Sequence, residues 1–251
     1  MLCCHSCYSA SVGATDSSLV VKVRLIEIVK KAAEVSSDLK GTSIFLVGMQ
    51  SSLKAGLGKL LADALRYYYF DSDSLVEEAV GGALAAKSFR ESDTKGFYES
   101  ELSFLDTDAH FHHLTVELEY QMQTEVLKQL SSMGRLVVCA GNGAVTSPTN
   151  LHGISLWIDV PLDLVARDVK EDLFIPGSYP EVKDEQFALY DKYRAGYATA
   201  DAIVSVQKVA SRLGCDNLDE VTIEDLTLEA LREIEKLTRV KKMIEEAARP
   251  F

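Results

Sequence analysis

Ile44-Phe45-Leu46-Val47-Gly48-Met49-Gln50-Ser51-Ser52-Leu53-Lys54-Ala55 decides the fold. The first four residues are apolar and read as a short buried strand. Eight residues follow, Gly48 to Ala55, and then a helical run from Gly56 to Leu65. Strand, eight-residue loop, Lys and helix is the layout of the phosphate cradle G-x-x-x-x-G-K-[ST], in which backbone N–H groups and a Lys surround a nucleotide's phosphates. Gly48 and Lys54 stand in place as nucleotide-binding residues. Leu53 stands where the second Gly belongs, and Ala55 where a Ser or Thr hydroxyl would ligate Mg²⁺. The scaffold of a phosphate-handling enzyme is written here with its chemistry damaged.

Outward from this stretch, four more apolar runs read as buried strands: Tyr67–Phe70, Leu136–Ala140, Ser155–Val160 and Ala202–Val206. Helical stretches alternate with them: Ser74–Val80, Glu99–Phe104, Leu114–Leu130, Leu162–Val169, Lys183–Tyr193 and Ile223–Ala247. Strands alternating with helices predict an α/β domain wound on both faces of a parallel sheet. Ahead of the first strand, Leu19–Val35 reads as a helix with Val20, Val23, Ile26, Val29 and Ala33 on its apolar side. It is an extension that either covers one face of the domain or docks a partner.

Acidic residues outnumber basic ones, 38 to 26, for a net charge of -12. That balance disfavours nucleic acid and anionic membranes as main partners, because phosphate binding draws on excess Lys and Arg. No apolar run in the sequence is long enough to span a bilayer. Five cysteines are too few and too unevenly placed for a disulfide framework. Cys3, Cys4 and Cys7 crowd His5 in a spacing that fits no zinc pattern, so the N-terminus reads as a mobile tail. Residues 1–15 are Ser-rich and acid-free, compatible with the end of an organelle transit segment, although they lack arginines. Cys139 reads as a core thiol and Trp157 as a core residue.

Beyond the loop, Asp71-Ser72-Asp73 follows the second strand and Gly141-Asn142-Gly143-Ala144-Val145 the third. Arg194 precedes the last strand, with Ala200-Asp201 just before it. In this order and spacing the chain resembles shikimate kinase over roughly residues 43 to 208. The resemblance implies a P-loop kinase-like, three-layer α/β/α fold with a central, roughly five-stranded parallel sheet, plus the N-terminal helix. Composition and periodicity together with this resemblance divide the chain into a flexible tail at 1–18, compatible with a transit-segment remnant, a helical extension at 19–40 and a kinase-like domain at 41–251. The resemblance implies phosphoryl transfer from Mg-ATP to a hydroxyl of shikimate, a reaction governed by positioning and electrostatics. By resemblance, Lys54 neutralises phosphates, Asp71 holds the Mg²⁺ shell, and Asp73 binds and deprotonates the acceptor. Gly141, Gly143 and Arg194 shape the acceptor pocket, with Arg194 on the substrate carboxylate, and Glu101 orients an Arg.

The departures weigh more. A branched residue at the cradle's second Gly costs about 1–2 kcal/mol if the backbone there is left-handed. Ser51 replaces another family Gly, Tyr98 a carboxylate-binding Arg, and Asn142 the middle Gly of the acceptor turn. Lys170–Pro176 lacks the lid Arg, for which Arg167 or Lys170 would have to substitute. The segment after Arg194 and the loop at Pro148–Gly153 are shortened. A lost arginine finger alone costs on the order of 10³-fold in rate.

The chain therefore looks most similar to the plant shikimate kinase-like proteins. That implies a vestigial catalytic Asp73, a doubtful Asp71 metal site and doubtful Mg-ATP binding. It also implies a chloroplast location and a non-shikimate-kinase role in chloroplast biogenesis, through an unidentified plastid protein or small-molecule ligand. The alternatives are an active ATP-dependent kinase with a changed acceptor and a working shikimate kinase. Blander readings stand beside each residue. Asp73 is placed to N-cap Ser74–Val80, Arg194 to pair with Asp191, and His110, His112 and His113 to sit in a solvated loop.

Overall fold

The computed structural model describes residues 17–79, 124–146, 151–173 and 179–248. Among the described residues, five strands form one parallel sheet: β1 (Ile44–Val47), β2 (Tyr68–Asp71), β3 (Leu136–Cys139), β4 (Ile154–Asp159) and β5 (Ala202–Ser205). Their spatial order is β2-β3-β1-β4-β5. β1 lies in the centre, Ile44 level with Val137 on one side and with Ile154 on the other. All four residues of β1 and of β3 are buried, which is why both read as unbroken apolar runs rather than alternating ones.

Helices alternate with the strands to complete a three-layer α/β/α domain. They are α1 (Ser17–Leu39), α2 (Ser52–Leu65), α3 (Ser72–Ala79), α4 (helical over the described 124–131), α5 (Leu162–Leu173), α6 (Tyr179–Tyr197), α7 (Val206–Leu213) and α8 (Ile223–Ala247). α2 closes with Arg66 in the left-handed region (φ 58°), and α8 opens with a capping box between Thr222 and Asp225. The helix expected over 99–104 lies outside the described residues, as do residues 1–16 with their cysteines and the three histidines at 110–113.

α1 packs into the same core as the sheet, along α8 and α2. Arg24 pairs with Asp225, Lys31 with Glu235 and Lys242 with Asp38, so partners advance together and the two helices lie parallel. The face expected to be buried is corrected. Ile28, Ala32, Val35 and Leu39 are the buried residues, while Val23, Ile26 and Val29 are exposed. Both stripes of α1 are apolar, and contact with α8 chooses between them.

Strand order reverses at β1, with β3 on one side and β4 on the other. The connections leaving β1 and β4 therefore diverge and open a crevice at the carboxyl edge of the sheet, where ligands of such folds bind. The loop at 48–55, the turn 71–73 and the turn 141–146 all emerge on that edge.

Candidate functional site

Gly48 leaves β1 at φ 128°, and a Cβ built there would sit 2.5 Å from the Ile158 carbonyl oxygen. Only glycine fits both the backbone and the space. From there the loop departs from the expected cradle. α2 begins at Ser52, four residues earlier than the expected Gly56. Ser51 is its N-cap, extended at φ -158°, with its hydroxyl accepting a hydrogen bond from the Lys54 amide (3.2 Å). Leu53 is therefore an ordinary first-turn helical residue, half-buried against the core, and is not among the residues of positive φ. The strain expected at Leu53 does not arise, because the loop is rebuilt as a capped helix start.

Lys54 is 1% exposed. Its ammonium donates to the Gly48 carbonyl (2.9 Å) and the Ala140 carbonyl (3.1 Å), bridging the ends of β1 and β3. Ser52 donates both its amide and its hydroxyl to one carboxylate oxygen of Asp168, each at 2.8 Å. Asp168 lies in α5, and no sequence signal had singled it out. Arg167, weighed as a replacement lid Arg, is paired instead with Asp219, which holds that carboxyl below its ordinary range. The side chain of Lys170 and the rest of the lid segment, 174–176, lie outside the described residues.

At the end of β2, Asp71 accepts through Oδ1 from the amides of Asp73 and Ser74, both at 3.1 Å. The cap of α3 is thus Asp71, not Asp73, and α3 starts at Ser72 rather than Ser74. Ser72 between them is fully buried, and its hydroxyl accepts from the Gly141 amide at 2.9 Å. This bond ties the two turns together, and a serine between two acids carries no sequence signal for it. Asp73 is half-buried and close enough to bear electrostatically on both Cys139 and Tyr197. Burial pushes the Cys139 thiol up, against the opposing pull of Lys54, and marks it as the core thiol expected.

The turn after β3 runs through a short 3₁₀ segment, Asn142–Thr146, with Gly141 buried and Gly143 half-buried. A Cβ on Gly196 would stand 2.7 Å from Val145 Cγ2, so α6 presses directly on this turn. Tyr197, fully buried, sends its hydroxyl to Asn142 Oδ1 (2.9 Å) and Met49 Sδ (3.7 Å). Its ring centre lies 6.1 Å from that of Trp157, and burial drives its phenol well above the ordinary tyrosine range. Arg194 sits exposed in the last turn of α6. Asp201 anchors the start of β4 by accepting from the Ser155 amide and hydroxyl, both at 2.7 Å. Tyr98 and Glu101 lie outside the described residues.

Gly48, Lys54, Asp71, Asp73, Gly141 and Gly143 thus share one edge, and the residues there do not fit Mg-ATP. Ala55 offers no hydroxyl to a metal. The amides of Ser52, Lys54 and Ala55 are bonded to Asp168, to the Ser51 hydroxyl and to the Ser51 carbonyl. The Lys54 ammonium is bound to two carbonyls, and one oxygen of Asp71 is spent on a helix cap.

The family model described as Shikimate kinase matches residues 50–118. The chain is 50% identical, over all of its length and 85% of the relative's, to a protein of Arabidopsis thaliana named as a probable inactive shikimate kinase like 1, chloroplastic. It is 36% identical to shikimate kinase 2, chloroplastic, of Oryza sativa subsp. japonica, over 88% of this chain and 67% of that one. Among solved structures, shikimate kinase from Acinetobacter baumannii in complex with shikimate superposes with a TM-score of 0.56 at 20% identity. That match covers 80% of this chain and 97% of the other, and it shows the shared fold.

Proposed function

Because this chain belongs to the shikimate kinase family, we propose that it is a catalytically impaired member of that family, acting in chloroplast biogenesis by binding a plastid protein or a small-molecule ligand. The observation that carries the reading is Lys54. A lysine that neutralises a transferring phosphoryl group must reach it. This one is buried with its ammonium on two main-chain carbonyls, beside an Ala where the metal-ligating hydroxyl would be. On the turn that the resemblance assigns to the acceptor, Asn142 is likewise engaged within the chain, accepting from the Tyr197 hydroxyl. The chloroplast location follows the plant relatives, which are named as chloroplastic. The role in biogenesis rests on the resemblance to the plant shikimate kinase-like proteins.

A coupled assay of the purified chain with Mg-ATP and shikimate tests the impairment. Turnover at least about 10³-fold below a working family enzyme is expected, the scale of one missing transition-state cation. Ordinary kinase turnover would overturn the reading. A plant lacking this chain should green poorly while its shikimate 3-phosphate supply is unchanged, and normal greening would remove the proposed role. The competing reading, a kinase for another acceptor, requires Mg-ATP to bind at micromolar concentration, which calorimetry measures directly.

A further inference from the structure

The start of α2 already holds an anion, and the anion belongs to the chain. Ser52 gives two donors, its amide and its hydroxyl, to a single oxygen of Asp168 across 116 residues of sequence. The first turn of α2 carries no acidic residue of its own, so this carboxylate is the charge that meets the helix's positive end. Asp168 sits in α5, which follows β4, and β4 is the neighbour of β1 in the sheet. The bond therefore spans the crevice from one wall to the other. Its sequence neighbour Arg167 is engaged with Asp219 rather than offset against it.

We propose that Asp168 occupies the phosphate seat of the 48–55 loop as a built-in competitor, so that anions are actively excluded there. The inference rests on the reading of this loop as an inherited phosphate cradle. Leu53 and Ala55 are losses, a missing glycine and a missing hydroxyl, whereas Asp168 brings a charge to this loop from another helix. A tethered carboxylate is always present at high effective concentration. An incoming phosphate must displace it from Ser52 and then lie against its negative charge.

The test is calorimetric titration of the full chain with sodium tripolyphosphate, for the wild type, Asp168→Ala and Asp168→Asn. Asn keeps an acceptor for Ser52 and removes the charge. Asp168→Ala should bind about tenfold tighter than the wild type or better, the scale of one charge-assisted hydrogen bond, with Asp168→Asn in between. Equal affinity in folded Asp168→Ala and wild type overturns the proposal, as does tight binding by the wild type. So does a total lack of binding in all three. Should Asp168→Ala fail to fold, Asp168→Asn decides: a gain over the wild type supports the proposal and no gain sinks it. Failure here leaves the impairment reading intact, since that reading is decided by shikimate turnover of the unaltered chain.

Discussion

At the carboxyl edge of the sheet, Lys54 is 1% exposed and gives its protons to the Gly48 and Ala140 carbonyls. On the flank formed by α1 and α8, Arg24 and Lys31 meet Asp225 and Glu235 at 2.9 and 2.6 Å, in partial view of water. The two regions use charge for different ends. An exposed ion pair is screened and individually weak, and it mainly sets which faces meet. A buried cation bonded to main chain cannot be withdrawn without orphaning its acceptors. The site edge is thus held together by groups that, in a working cradle, would be kept free for a ligand.

The largest effects should come from that edge. Gly48→Ala puts a Cβ against the Ile158 carbonyl oxygen and into a backbone at φ 128°. Strain and overpacking together predict a loss of about 2–5 kcal/mol in urea denaturation. A cost below about 1 kcal/mol would show that the end of β1 yields, and would break the contrast of a rigid edge. Lys54→Met comes next. The methionine fills much of the stem's volume but leaves two buried carbonyls unpaired, costing about 1–3 kcal/mol. A neutral or stabilising result would mean that the ammonium is poised for a ligand rather than built into the fold.

The flank supplies a smaller, paired test. Ile28 is 1% exposed and Ile26 is 69% exposed on the same helix. Ile28→Val should cost about 0.5–1.5 kcal/mol, and Ile26→Ser should stay within about 0.5 kcal/mol of the parent. The reverse order would restore the Val23, Ile26 and Val29 face as the buried one.

These cases also mark what the sequence could and could not reveal. β1 was readable to the residue, because a strand buried on both faces is a bare apolar run. α8 was readable in full, since its charges and its apolar stripe carry one period over a long span. The face of α1 was not, because two apolar stripes share the helix and the choice between them is tertiary. At the loop, alignment with a glycine pattern hid a plainer local signal: Ser51 stands at the entrance to a helical run, where Ser is a preferred cap. Ser72 has no local signature, since its partner Gly141 is 69 residues away and the acids on both sides of it carry the stronger chemical signal. Asp168 had no local signature at all, as nothing within α5 points to a partner 116 residues away.

The smallest effect is the pH dependence of the flank. Lys31, through its hydrogen bond, holds the Glu235 carboxyl below its ordinary range, and Glu235 holds Lys31 above its own. For a depressed carboxyl, the stabilisation is complete above the unfolded-state pKa and is lost as pH falls through the folded one. For a raised ammonium, it is complete below the unfolded-state pKa and is lost as pH rises through the folded one. The pair therefore contributes evenly from about pH 5 to pH 10, and fades on either side. Lys31→Met should lower stability near pH 7 by less than about 1 kcal/mol, as a screened pair does. The gap from the wild type should close as pH falls below about 4, and it should shrink in molar salt. A gap that persists in acid would mean that Lys31 secures α1 through its aliphatic stem, and that packing rather than charge joins the extension to the domain.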